Sequence, residues 1–190
     1  MSTVTDNWFR KHRINVDEYY RMAEVGLLAP DARVELIDGE VIDMVPIGSR
    51  HAAVVNMLTR MLVEATGNHA IVSVQAPIRL SARSEPQPDL ALLKPRADFY
   101  RSGHPTAGDV LLLVEVSDTT LRYDREIKLP LYASHGIPEL WLIDLGSNQL
   151  QQYFQPVNTR YERMSTCIEG KITVLTMPGV SVDVSSVLTP

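Results

Sequence analysis

The sequence predicts a mixed α/β or α+β fold, a β-sheet of mixed direction flanked by helices, and three observations carry that expectation. Residues 109–145 read as strand, helix and strand, a βαβ unit with parallel strands and a right-handed crossover. Asp38-Gly39 stands between two β-rich arms, and this dipeptide suits the two-residue type I′ turn of an antiparallel hairpin. The C-terminal stretches "QLQQYFQ", "RYERMS" and "KITVLTM" alternate in the manner of short meander strands.

The elements follow in chain order. "NVDEYYRMAEVG" is a helix: Asn15 caps it, Glu18 completes a capping box three residues on, and Gly26 ends it. "RVELIDGEVIDMV" is the hairpin. "GSRHAAVVNMLTRMLVEATG" is a second helix with Ser49 as cap, Gly67 as stop, and positions 54, 55, 58, 61, 62 and 65 on one apolar face. The reading then turns to strands, "AIVSVQ", "PIRL", "PDLALLK" and "DVLLLVEVS", with the Pro- and Gly-bearing "PRADFYRSGHPTAG" as a surface loop. "YDREIKLPLYASHG" is helical, although Pro130 removes a donor and crowds the carbonyl of Glu126. That helix therefore either kinks at the proline or begins close to Lys128. "ELWLIDL" is a further apolar strand.

At 190 residues, the expectation is one domain over 1–190, long enough to bury roughly two thirds of its unfolded surface. Apolar residues at 45% and charged ones at 22% are ordinary for a globular chain. No apolar run approaches the roughly 18 residues that span a bilayer, and no secretory signal is readable at the N-terminus, so no membrane partner is expected. The single cysteine, Cys167, excludes an internal disulfide and suits a cytoplasmic location. A net charge of −5 argues against coating nucleic acid by bulk electrostatics, while leaving room for a local basic groove.

Four clusters are candidates for chemistry. Asp89 opens "DLALL" and Glu115 lies near the end of "LLLVEV". If those strands pair antiparallel, the two carboxylates converge, and they repel unless a proton or cation intervenes. A hard divalent ion such as Mg²⁺, with Mn²⁺ as substitute, takes oxygen ligands and keeps several waters, so this pair with the carbonyl of Val116 would suffice. The structural alternative is that Asp89 caps a turn and Glu115 pairs with an arginine. The second cluster is Asp124, Lys128 and Tyr132, spaced to share a helical face. Lys128 near a metal would have a lowered pKa suited to proton handling; the alternative is an exposed Asp–Lys pair of little energy. Glu35, facing Ile42 across the hairpin, lies either at a sheet edge or in a site. His51, one turn before Val54 and Val55, is either a satisfied core histidine or a site residue.

"VELIDGEVIDMVPIGSRH", "QPDLALL" and "LLLVEVSDTTLRYDREIKLPLYASHGIPELWLIDL" together resemble the Uma2 family of restriction-endonuclease-like proteins, over about residues 15–180. The resemblance implies a restriction-endonuclease-like core over those residues, a 1–14 N-terminal extension, and a Mg²⁺-dependent phosphodiesterase site. It makes Asp89 the first metal carboxylate and Glu115 the second, and puts Glu35 and His51 around the same pocket. The wider nuclease superfamily has a lysine two residues after the second carboxylate; Ser117 stands there, and Lys128 on the next helix is the matching lysine.

The expected function is thus a Mg²⁺-dependent DNA endonuclease with Asp89, Glu115, Lys128, Glu35 and His51 catalytic. Arg79, Arg83, Arg122 and Arg125 would meet phosphates, with Asp124 and Tyr132 on the substrate side. Asp89→Ala or Glu115→Ala is expected to abolish cleavage with the melting temperature nearly unchanged. A catalytically inactive module binding nucleic acid or protein, and an RNase or other phosphodiesterase, are the alternatives. A homodimer would widen the basic groove.

Overall fold

The computed structural model describes residues 11–188. Residues 1–10 of the expected extension lie outside the described residues, and Ile14 already hydrogen-bonds the hairpin turn at Gly39. Helix α1 (Val16–Glu24) carries the capping box read from the sequence, with Asn15 accepting from the Glu18 N–H and Glu18 accepting from the Asn15 N–H. Strands β1 (Val34–Ile37) and β2 (Glu40–Asp43) form the hairpin, with Ile37 opposite Glu40 and Glu35 opposite Ile42. Asp38 and Gly39 take φ of 47° and 77°, as a type I′ turn requires. Helix α2 (Ser49–Thr66) is capped by Gly48 rather than Ser49 and stops at Gly67. Its inward face differs by one place at the end: Ala65 is exposed and Thr66 buried, its hydroxyl donating to the Leu62 carbonyl.

Six strands make the main sheet, β3 (Ile71–Val74), β4 (Leu90–Leu93), β5 (Val110–Ser117), β6 (Glu139–Asp144), β7 (Gln149–Val157) and β8 (Arg160–Cys167), in chain order across the sheet. Only β5 and β6 are parallel, the rest antiparallel, so the sheet is mixed as expected. "PIRL" is not a strand: Arg79 makes an isolated bridge to Thr106, and the N–H groups of Ile78, Arg79 and Leu80 donate to the carbonyls of Pro86, Pro105 and Ser84, outside the ladder. The crossover from β5 to β6 holds α3 (Leu121–Tyr123), a π-helical turn (Asp124–Lys128) and α4 (Leu129–Ser134). "KITVLTM" shortens to β9 (Lys171–Thr173), which pairs with β10 (Ser181–Asp183) ahead of α5 (Val184–Leu188).

The central strands are apolar on both faces because both are covered. On one face Val54, Leu58 and Leu62 of α2 pack on Leu112, Val114 and Trp141, with Val182, Val184 and Val187 closing the layer. On the other face Tyr132 of α4 joins Ile78, Leu113, Ile137 and Leu140. Among the described residues no helix is long and apolar enough to cross a membrane.

Candidate metal and phosphodiesterase site

Leu90 of β4 faces Val114 of β5, so the next positions along that register bring Asp89 and Glu115 to the same end of the strand pair. Alternation along β5 sends Val114 and Val116 to the α2 face and Glu115 to the side of Leu113 and Tyr132. Both carboxylates line one cavity of about 700 Å³. Their antiparallel convergence is as the sequence implied.

Glu115 is buried, and its Oε1 accepts from the Tyr132 hydroxyl at 2.5 Å and from Lys128 Nζ at 3.3 Å. Lys128 Nζ stands equally 3.3 Å from Glu35 Oε2, so one buried ammonium lies between two buried carboxylates. Glu35 in turn accepts from the Tyr123 hydroxyl and from the Gln87 N–H. Glu35 therefore stands buried in the cavity lining, although its strand belongs to a two-stranded sheet. Burial disfavours the Glu115 charge and raises its carboxyl above the ordinary value, against the pull of Lys128. Burial also opposes the Lys128 charge, but Glu115, Glu35 and Asp124 outweigh it and lift its pKa above the ordinary lysine value. In the metal-free protein Lys128 is held as a cation, since three carboxylates outweigh desolvation.

The helix that delivers Lys128 resolves the problem of Pro130. The Leu129 N–H donates to the Asp124 carbonyl, five residues back, and Pro130 falls in the first turn of α4, where a missing donor is tolerated. Asp124 is buried and accepts from the hydroxyls of Ser117 and Thr120, each at 2.7 Å. Ser117 thus anchors the helical turn that carries Lys128. Neither Asp124 nor Lys128 is the exposed partner that the bland alternative required.

Asp89 is held differently. Its Oδ2 accepts the Val116 N–H at 2.9 Å and lies 3.1 Å from His51 Nε2, while Oδ1 accepts from Gln75 Nε2 at 3.2 Å. Burial opposes its charge, yet His51, the Val116 N–H and Gln75 hold the carboxyl below its ordinary value. The Asp89 hydrogen bond raises the His51 pKa despite burial. His51 Nδ1 is buried without a hydrogen-bond partner, so this histidine is not simply a satisfied core residue.

The remaining expected residues divide. Arg122 lines the cavity, its side chain exposed and paired with Glu126. Arg79 is instead committed to buried Glu85 at 2.8 Å, and Arg125 to Asp144 at 3.6 Å and Gln151. Arg83 is exposed in a turn away from the cavity lining. Tyr132 is fully buried behind Glu115 and outside the lining, so it holds a carboxylate rather than meeting substrate. The sequence reading missed Arg33, Gln87 and Asp118, all in the lining. Gln87, two residues before Asp89, also clamps the hairpin through the Val34 carbonyl, and its place in "QPD" was the available signal.

Among the described residues no three His, Cys, Asp or Glu side chains form a ready-made metal cluster. Two carboxylates, a strand-end carbonyl and waters are nonetheless the smaller set that a hard divalent ion takes, and the donors here are oxygens. Seven carboxylate residues line the cavity against Arg33, Arg122 and Lys128, so a cation is electrostatically welcome there. The residues fit such an ion.

Residues 16–185 match a family model described as "Uma2: Putative restriction endonuclease". No curated protein matches the chain. Among solved structures, one described as a "putative nuclease belonging to DUF820" from Anabaena variabilis superposes with a TM-score of 0.70 at 14% identity, covering 92% of this chain and 97% of that one. At that identity the likeness speaks to the fold.

Proposed function

The chain belongs to the Uma2 family, and from that premise we propose that it is a Mg²⁺-dependent nuclease hydrolysing phosphodiester bonds in DNA. What supports the reading is one observation: Asp89 and Glu115 share one end of a strand pair beside a buried ammonium that two carboxylates fix in place. Asp89, Glu115 and the Val116 carbonyl would hold the ion. When bound, it supplies a Lewis acid for the phosphate and lowers the pKa of a water. Lys128 stabilises the negative charge that grows on the phosphoryl oxygens, and it does so without reorganising, because Glu35 and Glu115 already hold it. His51 and Gln75 orient Asp89. Arg122 and Arg33 are the cations positioned to meet a phosphate at the cavity mouth.

Asp89→Asn and Glu115→Gln, assayed on DNA with Mg²⁺ or Mn²⁺, are expected to lose cleavage by at least about a thousandfold while remaining folded. Cleavage retained in either variant overturns the assignment. The second reading, a binding module without catalysis, draws on Glu115 Oε1 being already engaged by Lys128 and Tyr132. Calorimetric titration with Mn²⁺ separates the two, since such a module gives no binding heat. A homodimer supplying a second copy of the site, and a cytoplasmic location suited to the free Cys167, complete the proposal.

A further inference from the structure

The cavity has an acidic floor and an apolar mouth. Val45, Pro46 and Ile47, in the segment between β2 and α2, line it from one side, and Ile127 and Tyr123 line it from the other. Val45, Ile47 and Ile127 are 50%, 40% and 44% exposed, which is unusual company for catalytic carboxylates. The segment is braced: Arg33 Nη1 donates to the Val45 carbonyl, and the Met44 N–H donates to the Arg33 carbonyl. These apolar side chains are therefore held at the opening by backbone anchors rather than left there by a loose loop.

A regular duplex has little use for such a mouth. Its bases are stacked inside, and its outer surface is phosphate, which calls for a track of lysines and arginines. Here the lining offers Arg33, Arg122 and Lys128 against seven carboxylates, and Arg79 and Arg125 are tied up in ion pairs elsewhere. An unpaired nucleotide does have a use for it. Its exposed base presents a π-face that packs on aromatic and aliphatic side chains regardless of sequence. Its base and its phosphate can then enter the one cavity that these side chains share with the carboxylates.

We propose that the Val45–Ile47 segment, with Tyr123 and Ile127, is a base-binding subsite, and that the substrate is an unpaired nucleotide in a single strand, gap or flap. This inference rests on the nuclease reading above and narrows it. The shared chemistry is an unstacked base next to a scissile phosphate, whether on DNA or RNA.

The test uses the full chain with Mn²⁺ and end-labelled oligonucleotides of one sequence: single-stranded DNA, single-stranded RNA, blunt duplex DNA, and the duplex with a short gap. The expected result is cleavage of the gapped duplex and of at least one single strand about tenfold or more faster than the blunt duplex, the size of effect that one stacked base provides. The two single strands tell DNA from RNA. The double variant Val45→Ser, Ile47→Ser changes only exposed side chains and is expected to raise KM on the single strand about tenfold with kcat retained. Blunt duplex cleaved as fast as the single strands, or an unchanged KM in the variant, overturns the subsite while leaving the nuclease reading intact. Cleavage of no substrate overturns both.

Discussion

At the residue scale, the site is a set of buried charges that answer one another. His51 and Asp89 give a pH signature whose sign is fixed. The folded His51 pKa is raised above 6.5, so its contribution is complete below that pH and fades as pH rises through the folded value. The folded Asp89 pKa lies below 3.8, so its contribution is complete above that pH and is lost as pH falls further. The pair therefore stabilises fully between pH 3.8 and 6.5. His51→Gln is expected to lower the urea midpoint most within that window and progressively less above it. A second prediction revises a reading from sequence, which treated Glu115 as a freely removable ligand. Glu115→Ala leaves Lys128 with Glu35 as its one ion-pair partner and a void against Tyr132, and is expected to cost about 3 kcal/mol. Calorimetry should find a melting temperature lower by roughly 5–10 °C. Asp89, Glu115 and Lys128 were legible as residues, because ionisable groups within apolar runs are conspicuous. Their partners were not. Which hydroxyl meets Glu115, or that Ser117 and Thr120 hold Asp124, depends on packing that no spacing rule encodes.

At the element scale, what was legible followed from local chemistry. The Asn15–Glu18 box and the Asp38-Gly39 turn involve residues within three positions of each other, and both stand as read. The turn also does more than reverse the chain. A Cβ on Gly39 would come within 2.6 Å of Arg13 Cβ and 2.9 Å of the Ile14 carbonyl, at a φ of +77°. Gly39→Ala is expected to destabilise by on the order of 1–3 kcal/mol, measured by equilibrium urea unfolding. The same change should weaken cleavage, because the hairpin carries Glu35. The helix before β6 was harder to read. Pro130 suggested a kink or a late start, and the chain uses neither alone: a π turn takes up the irregularity, and the proline opens the next helical turn. The strand reading of "PIRL" failed for the opposite reason, since its backbone partners, the carbonyls of Pro86, Pro105 and Ser84, lie outside the strands, the first two at sequence distances no local rule covers.

At the scale of the whole molecule, the acidic balance of the cavity implies a measurable linkage. A divalent ion that binds the folded chain and not the unfolded one raises stability by about 2.7 kcal/mol at a hundred times its dissociation constant. Mg²⁺ or Mn²⁺ should therefore raise the melting temperature of the intact chain, and Glu115→Gln should abolish that rise; an equal rise in the variant would remove Glu115 from the donor set. The fold class was legible because the βαβ unit and the meander are patterns of whole strands, whereas β10 is three residues long and, although Val180, Val182 and Val184 alternate with polar residues, nothing local says that it pairs with β9. One consequence reaches beyond the finished molecule. The ammonium at residue 128 is gripped by an anion from residue 35 and another from residue 115, contributed by a hairpin, a strand and a helix. A polypeptide still emerging from the ribosome, and shorter than that helix, holds both acidic side chains without the ammonium that answers them.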